Sequence, residues 1–436
     1  MRIALLVAFG WALVATVLAA GPERIAGWLT ARLAPETPPV EAPAVEVYGT
    51  PVEVASLPGW ADDRVAEALP AMLRSCGRFI AQPADRPLKP VKIGGTVGDW
   101  LPFCRAVRGL AERAGEAETR AVIERELVAV PLSREGDSAR QVGTGSEGAA
   151  RTGRPDAGWS RRLGLFTGYF EPHLRGSRRR GGRYTVPLYT QPSDLVMVDL
   201  GRFRDDLRGR RVAGRVRGGS LDVYDDRQAI AAGSLADRGL ELVWVDDAVD
   251  AFFLHIQGSG RIELDDGSIL RVGYSAQNGH SYHAIGRTLI DLGEMELDEV
   301  SLQSIDAWLR ANPERAAEIM ATNPSYVFFR QIRGEGPVGA QGVALTTERS
   351  LAVDRLHLPL GVPLWVDAMT PAADPDVPDE RRQWLLVAQD TGGAIRGAVR
   401  GDVYWGSGER AKSIAGRMAH RGRYWALVPR GSALPP

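Results

Sequence analysis

The sequence has few of the residues from which metal sites are built. Its 436 residues include two cysteines and six histidines, and no Cys/His spacing resembles a metal site. We therefore expect neither a metal nor another cofactor. The sequence also has almost no net charge, −1 at pH 7, whereas nucleic-acid-binding domains usually carry a basic face or stripe. Nucleic acid is therefore not an expected partner.

Long apolar runs are absent outside the N-terminus. There, Arg2 precedes the apolar run Ile3–Ala20, which ends in small residues before Gly21. This pattern is typical of an export signal, and a run of this length also suits a single retained membrane anchor. No cysteine stands at its end, so lipid attachment at a new N-terminal cysteine is not expected. The remainder is predicted to be water-soluble and periplasmic.

The two cysteines are Cys76 and Cys104. In an oxidising compartment such a pair tends to close, and a loop of about 30 residues is worth about 3–4 kcal/mol in the chain-entropy model. We expect a disulfide, with two buried free thiols as the alternative.

Composition divides the rest of the chain into segments. Residues 21–57 are rich in proline and alanine and are predicted to form a linker. Residues 58–131 show apolar positions at helical spacing. Residues 134–160 are polar and glycine-rich, which favours a flexible loop.

After residue 163 the sequence becomes strand-like. Short β-branched and aromatic runs alternate with glycine, proline and an Asp-Asp-Gly turn at 265–267, which together indicate a barrel or closed sheet. The predicted strands lie at 184–189, 240–245, 251–256, 262–264, 269–272, 342–345, 364–367, 384–388 and 424–428, and the predicted helices near 283–291 and 302–311.

Three aspartates follow apolar, strand-like residues in the last third of the chain: Asp367, Asp390 and Asp402. A carboxylate at a strand end can lie at the rim of a barrel, within reach of a substrate. Aspartate also caps turns after strands, so each position has a purely structural alternative. Glycines beside Asp390 and Asp402 favour a site, because a ligand can approach the backbone closely where there is no side chain.

Five stretches resemble the membrane-bound lytic murein transglycosylase A family and its three-aspartate domain. The C-terminal stretch runs from Gln389 through Gly408, and the four upstream stretches are residues 168–172, 253–261, 273–280 and 323–329. The similarity extends from about residue 165 to 428. It departs from the family in the segment Gly397–Gly401, which is slightly longer than in some relatives, and in the missing lipid-attachment cysteine.

The resemblance implies a mainly β fold with some α. A double-psi β-barrel built from both chain ends (58–165 and 333–436) would hold an inserted β-barrel-like domain (166–332), with a groove between them. It further implies a monomeric peptidoglycan lytic exotransglycosylase, a carbon–oxygen lyase of the periplasm or outer membrane. Its partner would be the glycan strand, and the membrane would be contacted only through the N-terminal segment.

The resemblance also assigns the aspartates. Asp402 would be the single catalytic acid and base, Asp390 a second groove carboxylate with a catalytic role, and Asp367 the third, placed with the substrate-binding residues. Such an enzyme needs one acid because the sugar's own C6 hydroxyl is the nucleophile, and intramolecularity supplies the effective molarity. Asp390 would either raise the pKa of Asp402 or stabilise the oxocarbenium-like charge.

The upstream stretches favour groove lining. We expect flat sugar-binding faces from aromatic rings, hydrogen bonds from neutral side chains and close backbone approach at small residues, with the aromatic rings alternatively in the core. Glu171 would be either a groove carboxylate or a turn residue, and His255 a buried strand residue. The expected substrate-binding residues are Tyr169, Glu171, Gln257, Ser259, Gly260, Tyr326, Asp367, Gly392, Gly393, Ala394 and Trp405.

Two other functions fit the same residues. An inverting glycoside hydrolase would use Asp390 and Asp402 as its acid–base pair. A non-catalytic wall-binding module would retain its effect without Asp402.

Overall fold

The computed structural model describes residues 48–110, 114–133, 163–207, 210–334 and 336–432. The export segment, most of the linker and the polar loop 134–160 lie outside these residues. Residues 46–436 form a compact unit distinct from 1–45, and the described apolar core begins at Val54. We therefore expect residues 46–436 to fold without the preceding segment. Within the described part, no helix is both long enough and apolar enough to cross a membrane.

The elements follow one another from an N-terminal helical segment to a strand-rich remainder. The strands are β1 Val52–Glu53, β2 Leu127–Pro131, β3 Gly164–Glu171, β4 His173–Ser177, β5 Val186–Tyr189, β6 Val196–Asp199, β7 Arg211–Arg217, β8 Ser220–Val223, β9 Glu241–Val245, β10 Ser259–Leu264, β11 Ile269–Gln277, β12 Val327–Gln331, β13 Ser350–Val353, β14 Pro363–Thr370, β15 Glu380–Asp390, β16 Arg400–Ser407 and β17 Ala419–Pro429. The α-helices are α1 Leu69–Ile80, α2 Val91–Gly94, α3 Val97–Gly109, α4 Glu116–Glu126, α5 Arg227–Ala231, α6 Ala248–Gln257, α7 Ile285–Asp291, α8 Leu302–Ala311, α9 Pro313–Ala321 and α10 Glu409–Arg417.

The largest sheet closes on itself. Its strands run in the order β1-β2-β17-β14-β15-β13-β16-β3, and β3 also pairs with β17. Six strands therefore form a ring, which β2 and β1 extend. Inward-facing apolar side chains such as Leu364, Leu386 and Val403 fill the ring and are fully buried, which is the arrangement expected of a small closed barrel.

Helices α1, α3 and α4 pack on this barrel. A Cys76–Cys104 disulfide joins α1 to α3, and the buried Trp100 of α3 packs between Phe79 and Phe103. A capping box of Thr96 and Asp99 begins α3, so its start is set locally. The last residues of the predicted linker belong to this folded part, because Val54 and Leu57 are buried in the same core.

A second sheet of six strands lies between β3 and β13 in the sequence. Its order is β12-β11-β10-β4-β9-β5, and α6 packs on it through Leu254 and Ala251. Among the described residues, strand pairing closes the first sheet into a ring, whereas the second sheet has β12 and β5 as unjoined edge strands. The protein is thus mainly β with two domains, as expected.

A third, smaller sheet projects from the second domain. It has three antiparallel strands in the order β6-β7-β8, and one of its faces packs on the second domain where Ala213 approaches Gly279 closely.

Two predicted strands are wrong. Residues 251–256 lie in helix α6, which Asp247 caps by accepting hydrogen bonds from the Val249 and Asp250 amides. The helix is apolar on nearly all sides because it is buried, so its sequence resembles a buried strand. Residues 342–345 form a loop with an isolated bridge between Val338 and Ala344.

Candidate active site

Four residues on adjacent barrel strands lie in one row. Ala352 of β13 is in register with Asp390 of β15 on one side and with Asp402 of β16 on the other. Asp402 is in register with Thr167 of β3. Residues in register on neighbouring strands point to the same face, and strands are about 4.8 Å apart. The two aspartates therefore face the same way, about 10 Å apart at Cα, with only an alanine methyl group between them.

A β-bulge sets the orientation of Asp390. The register of β13 with β15 shifts between Leu351 and Ala352, so Gln389 has no partner in the ladder. The Gln389 side chain turns toward helix α1, where it donates to the Ala71 carbonyl and to Ser75, and it accepts a hydrogen bond from Ser350. Bulges commonly redirect a side chain beside a site, and here the bulge directs the next residue, Asp390, outward.

Among the described residues, one side chain donates a hydrogen bond to Asp402. Thr167 donates its hydroxyl proton to Asp402 Oδ1 at 2.6 Å and itself accepts from Arg400 at 2.8 Å. No donor among the described residues bonds Oδ2, which leaves that oxygen available to the cavity. Burial raises the pKa of Asp402 above its ordinary value, although Arg400 and the Thr167 hydroxyl oppose the shift. Such a group can hold a proton closer to neutral pH than an ordinary aspartate.

Asp390 is held more tightly. Its Oδ1 accepts hydrogen bonds from the Ala340 and Thr391 amides at 2.9 Å each, and its Oδ2 accepts one from the Tyr169 hydroxyl at 3.0 Å. Burial raises the pKa of Asp390 to about 6, against the three donors, and the charge of Asp402 adds to the rise. Both oxygens of Asp390 are therefore engaged by fixed donors.

The row lies in a cavity of about 340 Å³ between the two domains. The barrel side supplies the aspartates together with Gly392, Gly393 and Ala394. The facing wall comes from the second domain and includes Gln257, Gln277 and the half-exposed rings of Tyr274 and Tyr282. An elongated ligand in the cavity would thus have carboxylates on one side and aromatic faces on the other.

A buried cation, Arg227, supports the facing wall. Its guanidinium donates to the carbonyls of Asn323 at 3.0 Å and Ser325 at 2.5 Å, and contacts His255 Nδ1 at 3.0 Å. Burial lowers the pKa of Arg227 to about 10 and, together with the Arg227 charge, holds the pKa of His255 well below its usual range. His255 is therefore neutral. It lies in a helix rather than in the strand we expected.

Several predicted site residues line the cavity. These are Asp402, Asp390, Tyr169, Gln257, Gly392, Gly393 and Ala394. Tyr169 does so through its edge, because its ring is buried against Tyr404 at 5.3 Å and its hydroxyl bonds Asp390. It positions a carboxylate rather than offering a flat face. Gln257 is partly engaged, since its Oε1 accepts from the Phe170 amide at 3.0 Å.

Asp367 is elsewhere. It lies in the middle of β14, not at a strand end, and is 2% exposed. Burial alone would raise the pKa of Asp367, but ion pairs with Arg381 at 2.7 Å and Arg423 at 3.0 Å hold it below the ordinary value. The carboxylate is engaged by two arginines and does not line the cavity.

The other predicted groove residues also lie outside this cavity. Trp405 is buried, with its Nε1 directed at the Met418 sulfur, and Tyr326 packs in the core against His255 at 4.2 Å. Ser259 and Gly260 lie in β10 and pair with Gly273 and Val272 of β11. Glu171 lines a different cavity of about 800 Å³ and lies 3.5 Å from Arg271.

Sequence reasoning missed Thr167, Arg400, Tyr274 and Tyr282. Strand alternation could have indicated Thr167 and Arg400. Thr167 stands two residues before Tyr169, and Arg400 stands two residues before Asp402, so each lies on the same strand face as that predicted residue. Tyr274 lies in one of the family-like stretches, but its exposure could not be seen from sequence.

Two family models match the chain. The MltA specific insert domain covers residues 165–330 and the 3D domain covers residues 349–428. Among curated proteins, the membrane-bound lytic murein transglycosylase A of Vibrio cholerae is 35% identical over 280 residues, which are 62% of this chain and 69% of that protein. The Escherichia coli K12 protein of the same name is 33% identical, over 60% of this chain and 65% of its own length.

Among solved structures, MltA from Neisseria gonorrhoeae is 32% identical with a TM-score of 0.66, covering 89% of this chain and 96% of its own. This chain belongs to the membrane-bound lytic murein transglycosylase A family. A lytic murein transglycosylase from Agrobacterium tumefaciens gives a TM-score of 0.72 at 29% identity, over 87% of this chain and 97% of its own.

The family insert model begins at residue 165, yet β3, the first strand of that range, pairs with β16 and β17 of the barrel. In this member of the family the chain therefore leaves the barrel sheet after Glu171, and β3 contributes Thr167 to the row and Tyr169 to the hydrogen bonds of Asp390.

Proposed function

We propose that this chain is a lytic transglycosylase of the cell envelope. It would cleave the bond between N-acetylmuramic acid and N-acetylglucosamine in peptidoglycan and leave a 1,6-anhydro end. The observation that carries the proposal is the row on the barrel face, in which one carboxylate is open to the cavity and the other is held by three donors. The likeness to E. coli MltA solved with bound chitohexaose, at 25% identity and a TM-score of 0.61, supports a glycan ligand.

Asp402 would act first as the acid. In its protonated form Asp402, whose pKa burial raises, would pass its proton to the glycosidic oxygen as the bond to the muramic acid C1 breaks. The carboxylate so formed would then accept the proton of the C6 hydroxyl while the C6 oxygen bonds to C1. Proton balance is restored, and Asp402 is ready for another cycle.

Asp390 would act by its charge. Both of its oxygens accept hydrogen bonds from fixed donors, which favours the ionised form and leaves the group poorly suited to pass a proton. A fixed negative charge on the same cavity face stabilises the positive charge that develops at C1. Tyr274 and Tyr282 would stack on sugar rings, and Gly392 and Gly393 would let the strand approach the backbone.

We propose that the enzyme reaches its substrate by export to the periplasm, directed by the N-terminal segment. The relatives are named as membrane-bound. The compact unit beginning at residue 46 carries the whole proposed site, so catalysis would not need that segment.

Mass spectrometry of digested peptidoglycan tests the reaction. Purified sacculi are treated with residues 46–436 as wild type, Asp402→Asn, or Asp62→Asn, an exposed aspartate used as control. We expect anhydro-muropeptides from the wild type and the control, and none from Asp402→Asn. Reducing ends that carry solvent oxygen would replace this proposal with an inverting hydrolase. Binding to sacculi without products would replace it with a wall-binding module.

A further inference from the structure

The outer face of the small sheet is apolar. In the registers of β6 with β7 and β7 with β8, Val196, Gly214 and Val223 form one row, Val198 and Val212 the next, and Val216 and Leu221 a third. Side chains in these rows share one face because they alternate along each strand. Apart from Gly214, every residue on that face is valine or leucine.

This face is open to solvent. Val216 is 62% exposed and Val223 78% exposed, although valine in a sheet usually buries its side chain against a second layer. The opposite face is the one that packs on the second domain, through Ala213 against Gly279. Phe203, in the connection from β6 to β7, is also 75% exposed. A contiguous apolar surface of this kind usually marks an interaction site.

The same segment is positively charged. Residues 196–223 contain seven arginines and four aspartates, whereas the whole chain has a net charge of −1. Among the described residues, Arg204 pairs with Asp206 and Arg215 pairs with Asp225. Arg202 and Arg210 lie exposed in the connection that carries Phe203, and Arg217 lies exposed at the β7–β8 turn. Exposed arginines therefore stand at both ends of the small sheet.

We propose that this face, formed by β6, β7, β8 and Phe203, binds the surface of an anionic lipid bilayer. Apolar side chains flanked by arginine suit the boundary between acyl chains and negatively charged headgroups. A second copy of the chain fits less well, because two such faces would bring like charges together. The chain outside the described residues is consistent with a nearby membrane, since the apolar run Ile3–Ala20 is long enough to span one.

Docking would place the catalytic cavity beside the membrane. The inner face of the small sheet bears Arg211, which is close enough to Tyr274 to lower the pKa of that phenol, although burial raises it overall. Tyr274 lines the catalytic cavity. A bilayer on the outer face would therefore hold the enzyme at the membrane-proximal layer of the wall.

Vesicle co-sedimentation tests the proposal. Residues 46–436, which carry the proposed site without the N-terminal apolar run, are mixed with vesicles of phosphatidylethanolamine and phosphatidylglycerol or of phosphatidylcholine alone. We expect binding to the anionic vesicles to exceed binding to phosphatidylcholine at least tenfold and to weaken with salt. The double variant Val216→Asp/Val223→Asp and the double variant Arg202→Glu/Arg217→Glu should each lose at least tenfold in partitioning.

Leu356→Asp is the matched control, because Leu356 is 62% exposed on the barrel domain. Its binding, and the muropeptide release of all variants in solution, should equal the wild type, so failure of the docking proposal is separable from failure of the catalytic one. Equal binding of all variants would overturn the proposal, as would no binding to either vesicle. A dimer in sedimentation velocity that Val216→Asp/Val223→Asp dissolves would also overturn it in favour of a second copy.

Discussion

Asp402 and Asp367 stand on the same closed sheet in opposite environments. Asp402 faces the cavity with one hydroxyl donor and a raised pKa, whereas Asp367 is buried between Arg381 and Arg423 with a lowered one. Burial taken alone would raise the pKa of either carboxyl. The difference comes from their partners: two arginines satisfy Asp367 completely, while Asp402 is left incompletely satisfied beside a cavity. Incomplete satisfaction is costly for stability and useful for proton transfer.

Asp402→Asn should have the largest effect. Loss of the general acid should lower turnover on sacculi by about 10³–10⁴-fold. Because a raised pKa means that this carboxyl costs stability once ionised, the variant should also melt higher at pH 7–8, on the order of 1–2 °C. Scanning calorimetry against wild type measures this gain, which should shrink toward pH 4, where the aspartate regains its proton. A variant that melts lower at pH 8 would contradict the assigned pKa direction.

Asp367→Asn should instead lower stability and leave turnover nearly unchanged. It leaves two arginines without their carboxylate, and we expect a loss of about 2–4 kcal/mol in unfolding free energy, somewhat less than for a fully buried pair because Arg381 is partly exposed. Turnover per folded molecule should stay within about threefold of wild type, a change of less than 1 kcal/mol. Urea unfolding with parallel activity assays compares the two quantities.

The pH dependence of stability gives a further test of the Asp367 ion pairs. Since the pKa of Asp367 is depressed in the fold, its stabilisation is present above the ordinary aspartate pKa and is lost as pH falls through the folded value. Wild type should therefore approach the stability of Asp367→Asn below about pH 4. A stability gap that is constant between pH 3 and pH 7 would show that the ion pair is not its source.

Tyr169→Phe should have the smallest effect. It removes one of three donors to Asp390 and leaves the ring in place, so turnover should fall about 3–10-fold, equivalent to about 1 kcal/mol for a lost hydrogen bond. Because the donor lowers the pKa of Asp390, the acid limb of the pH–rate profile should move to higher pH. A lower rate with an unmoved acid limb would mean that Tyr169 does not act through Asp390.

The sequence allowed part of this comparison to be foreseen. Glycines beside Asp390 and Asp402, with the family-like stretch, placed both aspartates in one site. Asp367 follows the same strand pattern, but its arginines lie on neighbouring strands β15 and β17, so its saturation depends on pairing that sequence does not display. The buried helix at 251–256 was misassigned for a related reason, since burial on all sides removes the amphipathic pattern.

Ring closure between β3 and β17 has a consequence for how the protein folds. Thr167 and Asp402 are 235 residues apart in sequence, and contacts of such separation are slow to form because the intervening chain must first be closed into a loop. The second domain shortens that search. Its first strand β4 and its last strand β12 are three strand spacings apart in one sheet. Once that sheet has formed, the points at which the chain enters and leaves the domain are therefore held about 14 Å apart. This favours folding of the insert first and of the barrel second, with the row of Asp390, Ala352, Asp402 and Thr167 among the last contacts to assemble.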